Sequence, residues 1–323
     1  MTLSRRRLLK LTASAATLPA VAAPARAQTY PSRPVRIIVG FAAGTTADIV
    51  ARLVGQWLSE RLGQSFVIEN RTGAASNLAA EAVVRAPPDG YTLLQATATN
   101  AVNATLYDNL GFSFVRDIVP VASIDRTPDV MEINPSLPVR TVLEFIAHAK
   151  AHPGTINMAT TGTGGGPHLY GELFKAMAGI DMVDVPYRGD ALPALIGGQV
   201  QVMFAPLPQS IGYIRAGALR ALAVTTATRL EVLPDVPPVS DFLPGYEASG
   251  FMGIGAPRGT PAEIVDKLNR EINAGLADPK LKTRLADLGL TVPSGAPADF
   301  GRLIAEETQK WGKVIKAASI KPE

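Results

Sequence analysis

Cysteine is absent from all 323 residues. Its absence excludes disulfide scaffolds, thiolate zinc centres, iron–sulfur clusters and cysteine nucleophiles. Aromatic residues make up only 6%, too few to suggest platforms that stack single-stranded nucleic acid. There are three histidines. His148 and His152 are spaced i, i+4, as on metal-binding helices, but no acid lies between them and Pro153 follows directly. They read as a solvated helix end. No G-x-S-x-G nucleophile elbow occurs, and no spacing singles out a carboxylate pair. After the N-terminal leader, no stretch reaches the roughly 20 apolar residues that cross a bilayer. The residues therefore point to no enzyme, no cofactor and no metal, and to a chain that is not membrane-embedded.

What is present is 47% hydrophobic and 18% charged, enough to bury a sizeable core and to exclude global disorder. The length suits two domains of about 150 residues. The net charge of +3 is misleading. Arg5, Arg6, Arg7, Lys10 and Arg26 lie in the first 27 residues, where there is no acid. Removing those five from the 31 basic residues leaves 26 against 28 acids, so the basic balance is no argument for nucleic acid. The same segment has a charged start, an Ala-rich apolar stretch over 11–23 and the small-x-small site Ala25-Arg26-Ala27. It reads as an export signal cleaved near Ala27, and its paired arginines resemble a twin-arginine (Tat) signal. The expected location is the periplasm.

Along the chain, 35–41 (VRIIVGF) is a continuous apolar run suited to a buried parallel strand. An amphipathic helix is expected over 46–62, then a strand at 66–69, a helix at 77–85 and a strand at 91–96. Strand alternating with helix is the doubly wound α/β signature. The pattern repeats with strands at 130–133, 155–159, 183–186, 200–204 and 221–225. Helices are expected between them at 142–151, 168–177, 192–196 and 210–215. A strand at 251–256 and helices at 262–276, 281–288 and 300–316 complete the chain. The helical tail has no core of its own and is expected to return to the first unit. The expected layout is domain I from 28–127 and 251–323, with domain II from 128–250.

In open α/β sheets, ligands bind where strands end and helices begin. One such loop is Gly40-Phe41-Ala42-Ala43-Gly44-Thr45-Thr46-Ala47-Asp48. Thr45 or Thr46 can cap the helix, Asp48 suits its first turn, and exposed N–H groups there would form an anion site. A tight, well-capped turn with no ligand is the alternative, and both readings stand at this point. A second loop runs Thr160-Thr161-Gly162-Thr163-Gly164-Gly165-Gly166-Pro167-His168. Its glycines exceed what a turn needs, which suggests close backbone approach to a ligand. It matches neither a Walker loop nor G-x-G-x-x-G. His168, at the helix start, reads as support for the glycines. Tyr187-Arg188-Gly189-Asp190 and Ala205-Pro206 follow later strands. Arg188 either pairs with a carboxylate or is a solvated turn residue. Trp57 and Trp311 are expected on helices away from these loops.

Several motifs resemble the Bug family, the periplasmic receptors of tripartite tricarboxylate transporters. They include Tyr30-Pro31-Ser32-Arg33-Pro34-Val35, Val67-Ile68-Glu69-Asn70-Arg71, Pro88-Asp89-Gly90-Tyr91-Thr92 and His168-Leu169-Tyr170-Gly171-Glu172. Val185-Pro186-Tyr187-Arg188-Gly189, Gly197-Gly198-Gln199-Val200 and Leu233-Pro234-Asp235-Val236-Pro237 continue the match, which runs from about Tyr30 to the C-terminus. The resemblance implies a two-lobed, hinged periplasmic binding protein fold, type II-like. It implies a monomeric receptor that delivers a small carboxylate (di- or tricarboxylate, or aromatic acid) to a membrane permease. A ligand-presenting sensor for two-component signalling and a periplasmic hydrolase are the rival readings. The ligand contacts it implies are Phe41, Ala43, Gly44, Thr45, Thr46 and Asp48 in the first loop, and Thr99 and Asn100 after the third strand. From the second lobe they are Thr160, Thr161, Gly164, Gly165, His168, Tyr187, Arg188, Asp190, Phe204 and Ala205. The chain departs from the family where relatives have a Pro-Pro-Gly-Gly first loop, here Ala42-Ala43-Gly44-Thr45. It also has Ala205 where some relatives carry an aspartate, which argues for a ligand without an amine. Thr72 stands in the usual Asn-Arg-Pro-Gly.

Overall fold

Strand β1 (Val35–Val39) is buried on both faces: Val35, Ile37 and Val39 join one core cluster and Ile38 another. Helix α1 (Thr46–Leu62) covers the first face with Val50, Leu53, Val54 and Leu58, which recur at helical spacing. It starts on the Thr45 hydroxyl, which accepts from the Asp48 N–H, and stops at Gly63 in the left-handed region. The computed structural model describes residues 30–107, 109–160, 162–187 and 191–322. The expected leader, Thr161, Arg188 and Asp190 lie outside the described residues. Among the described residues no helix is long and apolar enough to cross a membrane.

Strands β2 (Phe66–Asn70) and β3 (Thr92–Thr97) flank β1, both parallel to it. Two antiparallel strands follow, β9 (Ser249–Pro257) beside β3 and β4 (Ile118–Ile133) beside β9. β4 then changes partners. It pairs with β9 as far as Pro128↔Ser249, and from Asp129↔Pro206 onward with β7 (Val202–Pro206). β8 (Arg220–Val224) also pairs with its last residues. β5 (Asn157–Thr160) lies parallel to β7 and to β6 (Val183–Pro186). One sheet of order β2-β1-β3-β9-β4-β7-β5-β6 thus runs through both lobes, with β8 off its path.

Among the other helices are α2 (Asn77–Val84), α3 (Ala98–Leu106), α4 (Phe114–Asp117), α5 (Val142–Ala151), α6 (Gly166–Ala178), α7 (Leu192–Ile196) and α8 (Leu207–Arg215). The tail supplies α9 (Ala262–Ala277), α10 (Pro279–Asp287) and α11 (Pro297–Ala317). α9 and α10 pack on the first lobe through Leu268, Ile272 and Leu285. α11 spans both lobes: Phe300 and Ile304 join a first-lobe cluster, while Trp311 and Ile315 join the second-lobe core with Phe145, Phe174 and Phe204. Gly253 permits this approach, because a Cβ there would lie 2.3 Å from Phe300 Cζ and 2.5 Å from the Ala122 carbonyl.

Two elements differ most from the sequence expectation. β4 begins twelve residues before the expected 130–133 strand, at Ile118. Pro120 and Pro128 argue against a strand in the sequence, and the ladder accommodates irregularity by register shifts at Pro120/Ala122 and Ser123/Asp125. α3 (sequence ATNAVNATL) was expected only as a segment facing the cleft. Its Asn and Thr residues are weak helix formers, but Thr97 and Asn100 form a capping box and Ala101, Val102 and Leu106 are buried.

Candidate ligand-binding cleft

Four helices begin around one cavity of about 490 Å³ between the lobes. Thr46 starts α1, Ala98 starts α3, Gly166 starts α6, and Leu207 starts α8 next to the lining residue Pro206. The first N–H groups of a helix have no intrahelical acceptor, and the helix dipole places partial positive charge there. The convergence favours an anion. Apolar surface completes the cleft: Phe41, Val102, Leu169, Tyr170, Met252 and Trp311. Among the described residues lining it there is no lysine, arginine or histidine, and the one carboxyl is Asp129.

The first loop is held from beneath. Gly44, at φ +84°, donates its N–H to Asp48 Oδ2 at 2.9 Å. Arg52 donates to both Asp48 oxygens at 2.9 Å, and Asn70 Nδ2 donates to Asp48 Oδ1 and to the Phe41 carbonyl, each at 2.9 Å. The Arg52 hydrogen bonds, chiefly, hold the Asp48 carboxyl down at about 2. Asp48 is buried and fully engaged, so its carboxylate shapes the loop and does not face the cavity. This is also the part played by Asn70 in the Asn-Arg-Thr-Gly segment.

The second loop uses the same spacing with different chemistry. Gly164, at φ +76°, donates its N–H to His168 Nδ1 at 3.0 Å. The imidazole thus supports the glycines, and burial lowers its pKa below the usual 6.5. His168 Nε2 lies 3.9 Å from both Glu172 and Asp184. These three could share an ion, but the Lys175 ammonium already fills that place, 2.6 Å from Glu172 and 3.2 Å from Asp184.

Of the expected contacts, Phe41, Gly44, Thr45, Thr46, Thr99 and Gly164 line the cavity. Ala43 lies exposed in the first loop, and Gly165 caps α6 without a side chain. Asn100 spends its amide oxygen on the Thr97 N–H at 2.9 Å. Thr160 is buried at the end of β5, where its carbonyl accepts from the Tyr187 N–H at 2.8 Å. Tyr187 packs with Ala205 in one core cluster and Phe204 joins another, on opposite faces of β7. Sequence reasoning missed Asp129, Tyr170 and Gln209 as lining residues, and it placed Trp311 wrongly. Trp311 lines the cavity, with its ring centroid 5.2 Å from that of Tyr170 and its Nε1 donating to Glu307 at 2.7 Å. Its position on the helical face of α11 was legible; that α11 reaches the cleft was not.

A cleft between two α/β lobes, ringed by helix N-termini and strung on shared strands, defines a two-lobed binding protein. The sequence profile described as "Tripartite tricarboxylate transporter family receptor" (TctC) matches residues 50–320. The protein BugT of Bordetella pertussis is 34% identical over 306 residues, covering 93% of this chain and 94% of BugT. Among solved structures, Rpa4515 of R. palustris with adipate is 38% identical, with TM-score 0.79, covering 91% of this chain and all (100%) of that one. MatC of Rhodopseudomonas palustris with bound malate is 34% identical, with TM-score 0.75, covering 88% of this chain and 100% of that one. The chain belongs to the TctC receptor family, which is a family of substrate-binding receptors and not of enzymes.

Proposed function

We propose that this chain is an exported receptor that captures a small carboxylate between its lobes and hands it to a tripartite tricarboxylate-type permease. The observation that carries the reading is the meeting of four helix N-termini at a cleft whose described lining holds no cationic side chain. The leader supports a periplasmic location, and the relatives with adipate and malate support the ligand class. Site residues on this reading are the two glycine loops, Thr99 and the loop at Tyr187, Arg188 and Asp190. The lobe limits are 28–127 with 251–323, and 128–250; the change of partner along β4 at Pro128 and Asp129 supports a hinge there.

The energetics are sufficient. A micromolar ligand needs about 8 kcal/mol. A charge-assisted hydrogen bond contributes roughly 1.5–3 kcal/mol and a helix N-terminus up to about 2. Four or five backbone donors suffice if both loops are held in place beforehand, which is what Asp48 and His168 do.

The test is a thermal-shift screen of ligand-stripped protein against mono-, di- and tricarboxylates, aromatic acids and amino acids. A ligand at 100 times its dissociation constant stabilises by about 2.7 kcal/mol. A rise confined to one class of carboxylate is expected. A folded protein that responds to none of them would overturn the reading.

A further inference from the structure

The Asp129 side chain is the odd group in an anion-binding cleft. It lines the cavity, is 3% exposed, and its Oδ2 is buried with no hydrogen-bond partner. Its backbone is clamped: the N–H donates to Thr225 Oγ1 at 3.1 Å, and the carbonyl accepts from the Thr225 N–H at 2.9 Å and hydroxyl at 3.0 Å. The residue also sits where β4 passes from β9 to β7, so it is fixed at the junction of the lobes. The ionisable groups acting on it are Glu132 of the same strand, Tyr170 of α6 and Tyr246 of the segment before β9. None of them is a cation.

A buried carboxylate without a cation is costly, and the neutral acid is the cheaper form. Burial, with the like charge of Glu132 added, pushes Asp129 well above the ordinary carboxylate range. A neutral acid offers an O–H where an ionised one would only repel an anion.

Building on the carboxylate reading above, we propose that Asp129 is a specificity-determining ligand contact: a carboxylic acid at the lobe junction that donates its O–H to an acceptor oxygen at the far end of the ligand. One end of the ligand is a carboxylate held by helix N-termini. The other is a second carboxylate or a carbonyl oxygen, and not an ammonium. An ammonium would require Asp129 to ionise in a buried site and would face four positive helix ends.

The test is titration calorimetry with succinate, glutarate and adipate, each beside the ω-amino acid of the same chain length, from pH 6 to pH 10. Diacids are expected to bind at least about tenfold more tightly than their amino partners, since the loser leaves buried polar groups unpaired. Diacid affinity is expected to fall as pH rises, because the donor proton is lost. Above pH 7 the ligand carboxylates are ionised, so the fall is read there, and Tyr170 and Tyr246, raised well above 10, stay silent. Glu132, pushed up to about 8, and Asp125, pushed up to about 7 and hydrogen-bonded to the lining residue Thr127, both titrate within the range because of burial. Glu132→Gln should therefore keep the alkaline fall but move it to lower pH. Asp129→Asn keeps a donor without a titrating proton, so it should flatten the profile and retain more affinity than Asp129→Ala. Diacid binding in the unaltered protein with the same pH profile in Asp129→Asn would overturn this inference alone. Amino partners binding as tightly as diacids would do the same. A protein that binds no carboxylate at all overturns the receptor reading, and this one with it.

Discussion

The two glycine loops solve one problem with opposite electrostatics. In each, a glycine at positive φ donates its N–H to the side chain four residues later: Gly44 to Asp48, and Gly164 to His168. In the first lobe the acceptor is an ion, locked by Arg52 and Asn70. In the second it is a neutral imidazole whose charged form is disfavoured by burial. A strained turn needs an acceptor, but not of one kind. The choice decides which lobe is sensitive to acid.

The surroundings of the glycines give the largest expected difference. A Cβ at Gly164 would lie 2.4 Å from Leu106 Cδ2, whereas a Cβ at Gly44 would meet nothing within 4 Å. Gly164→Val therefore combines backbone strain with overpacking and should cost about 2–5 kcal/mol. Gly44→Val carries the strain alone, about 1–2 kcal/mol, with its side chain at the cavity edge. Thermal unfolding should rank them in that order, and calorimetry should show ligand binding lost in both. Equal destabilisation would break the comparison.

Asp48→Ala should fall between the two glycine variants. It leaves the Gly44 N–H, Arg52 and Asn70 without their acceptor and should cost about 2–3 kcal/mol, since bonds to charged groups are the strong ones. His168→Ala removes one acceptor for one N–H and should cost about 1–2 kcal/mol, read by chemical denaturation. If His168→Ala proved the more damaging, the imidazole would have to be holding more than the Gly164 turn.

Acid titration sharpens the same contrast. His168 has a lowered pKa in the fold, so its contribution is complete above pH 6.5 and is lost as pH falls through the lowered value. Asp48 is held at about 2, so its contribution is complete above pH 3.8 and is lost as pH falls from there through about 2. In the ligand-free protein, stability measured from pH 7 down to pH 4 should fall by the second loop's contribution while the first holds. His168→Asn, with an amide oxygen able to accept near the Nδ1 position, should flatten that fall. A fall of the same size in the variant would remove His168 as its cause.

The smallest expected effect is optical. Trp57 donates its Nε1–H to the Glu271 carbonyl on the outside of the first lobe, while Trp311 lines the cleft. Ligand should change the emission of Trp57→Phe more than that of Trp311→Phe. A response confined to Trp57 would place the ligand elsewhere.

Much of the fold was legible because the chain is punctuated locally. The 46–62 helix has its cap, periodic face and terminating Gly63 in consecutive sequence, and its bounds agree with the structure. The two loops were legible for the same reason, since small residues between a strand and a helix need no distant partner to be noticed. β4 was not legible over its first twelve residues, because two prolines and two register shifts are tolerated only when neighbouring strands already form the ladder. Asn70 is ordinary in sequence, and only the approach of β2 to the first loop makes it a clamp; Arg52, one helical turn after Asp48, is a local i,i+4 partner.

The sequence by itself determined the alternation of strands and helices, the glycine-bearing turns and the absence of thiol and nucleophile-elbow chemistry, because each is written in residues close together in the chain. Tertiary structure decided which groups meet in the cleft. Asp129, Tyr170, Met252 and Trp311 come from four distant elements. A hydrophobic face on α11 specifies that it must be covered, not by what. Only the sheet running through both lobes brings those side chains together and gives a buried aspartate on β4 a place in the cavity that four helix ends also border.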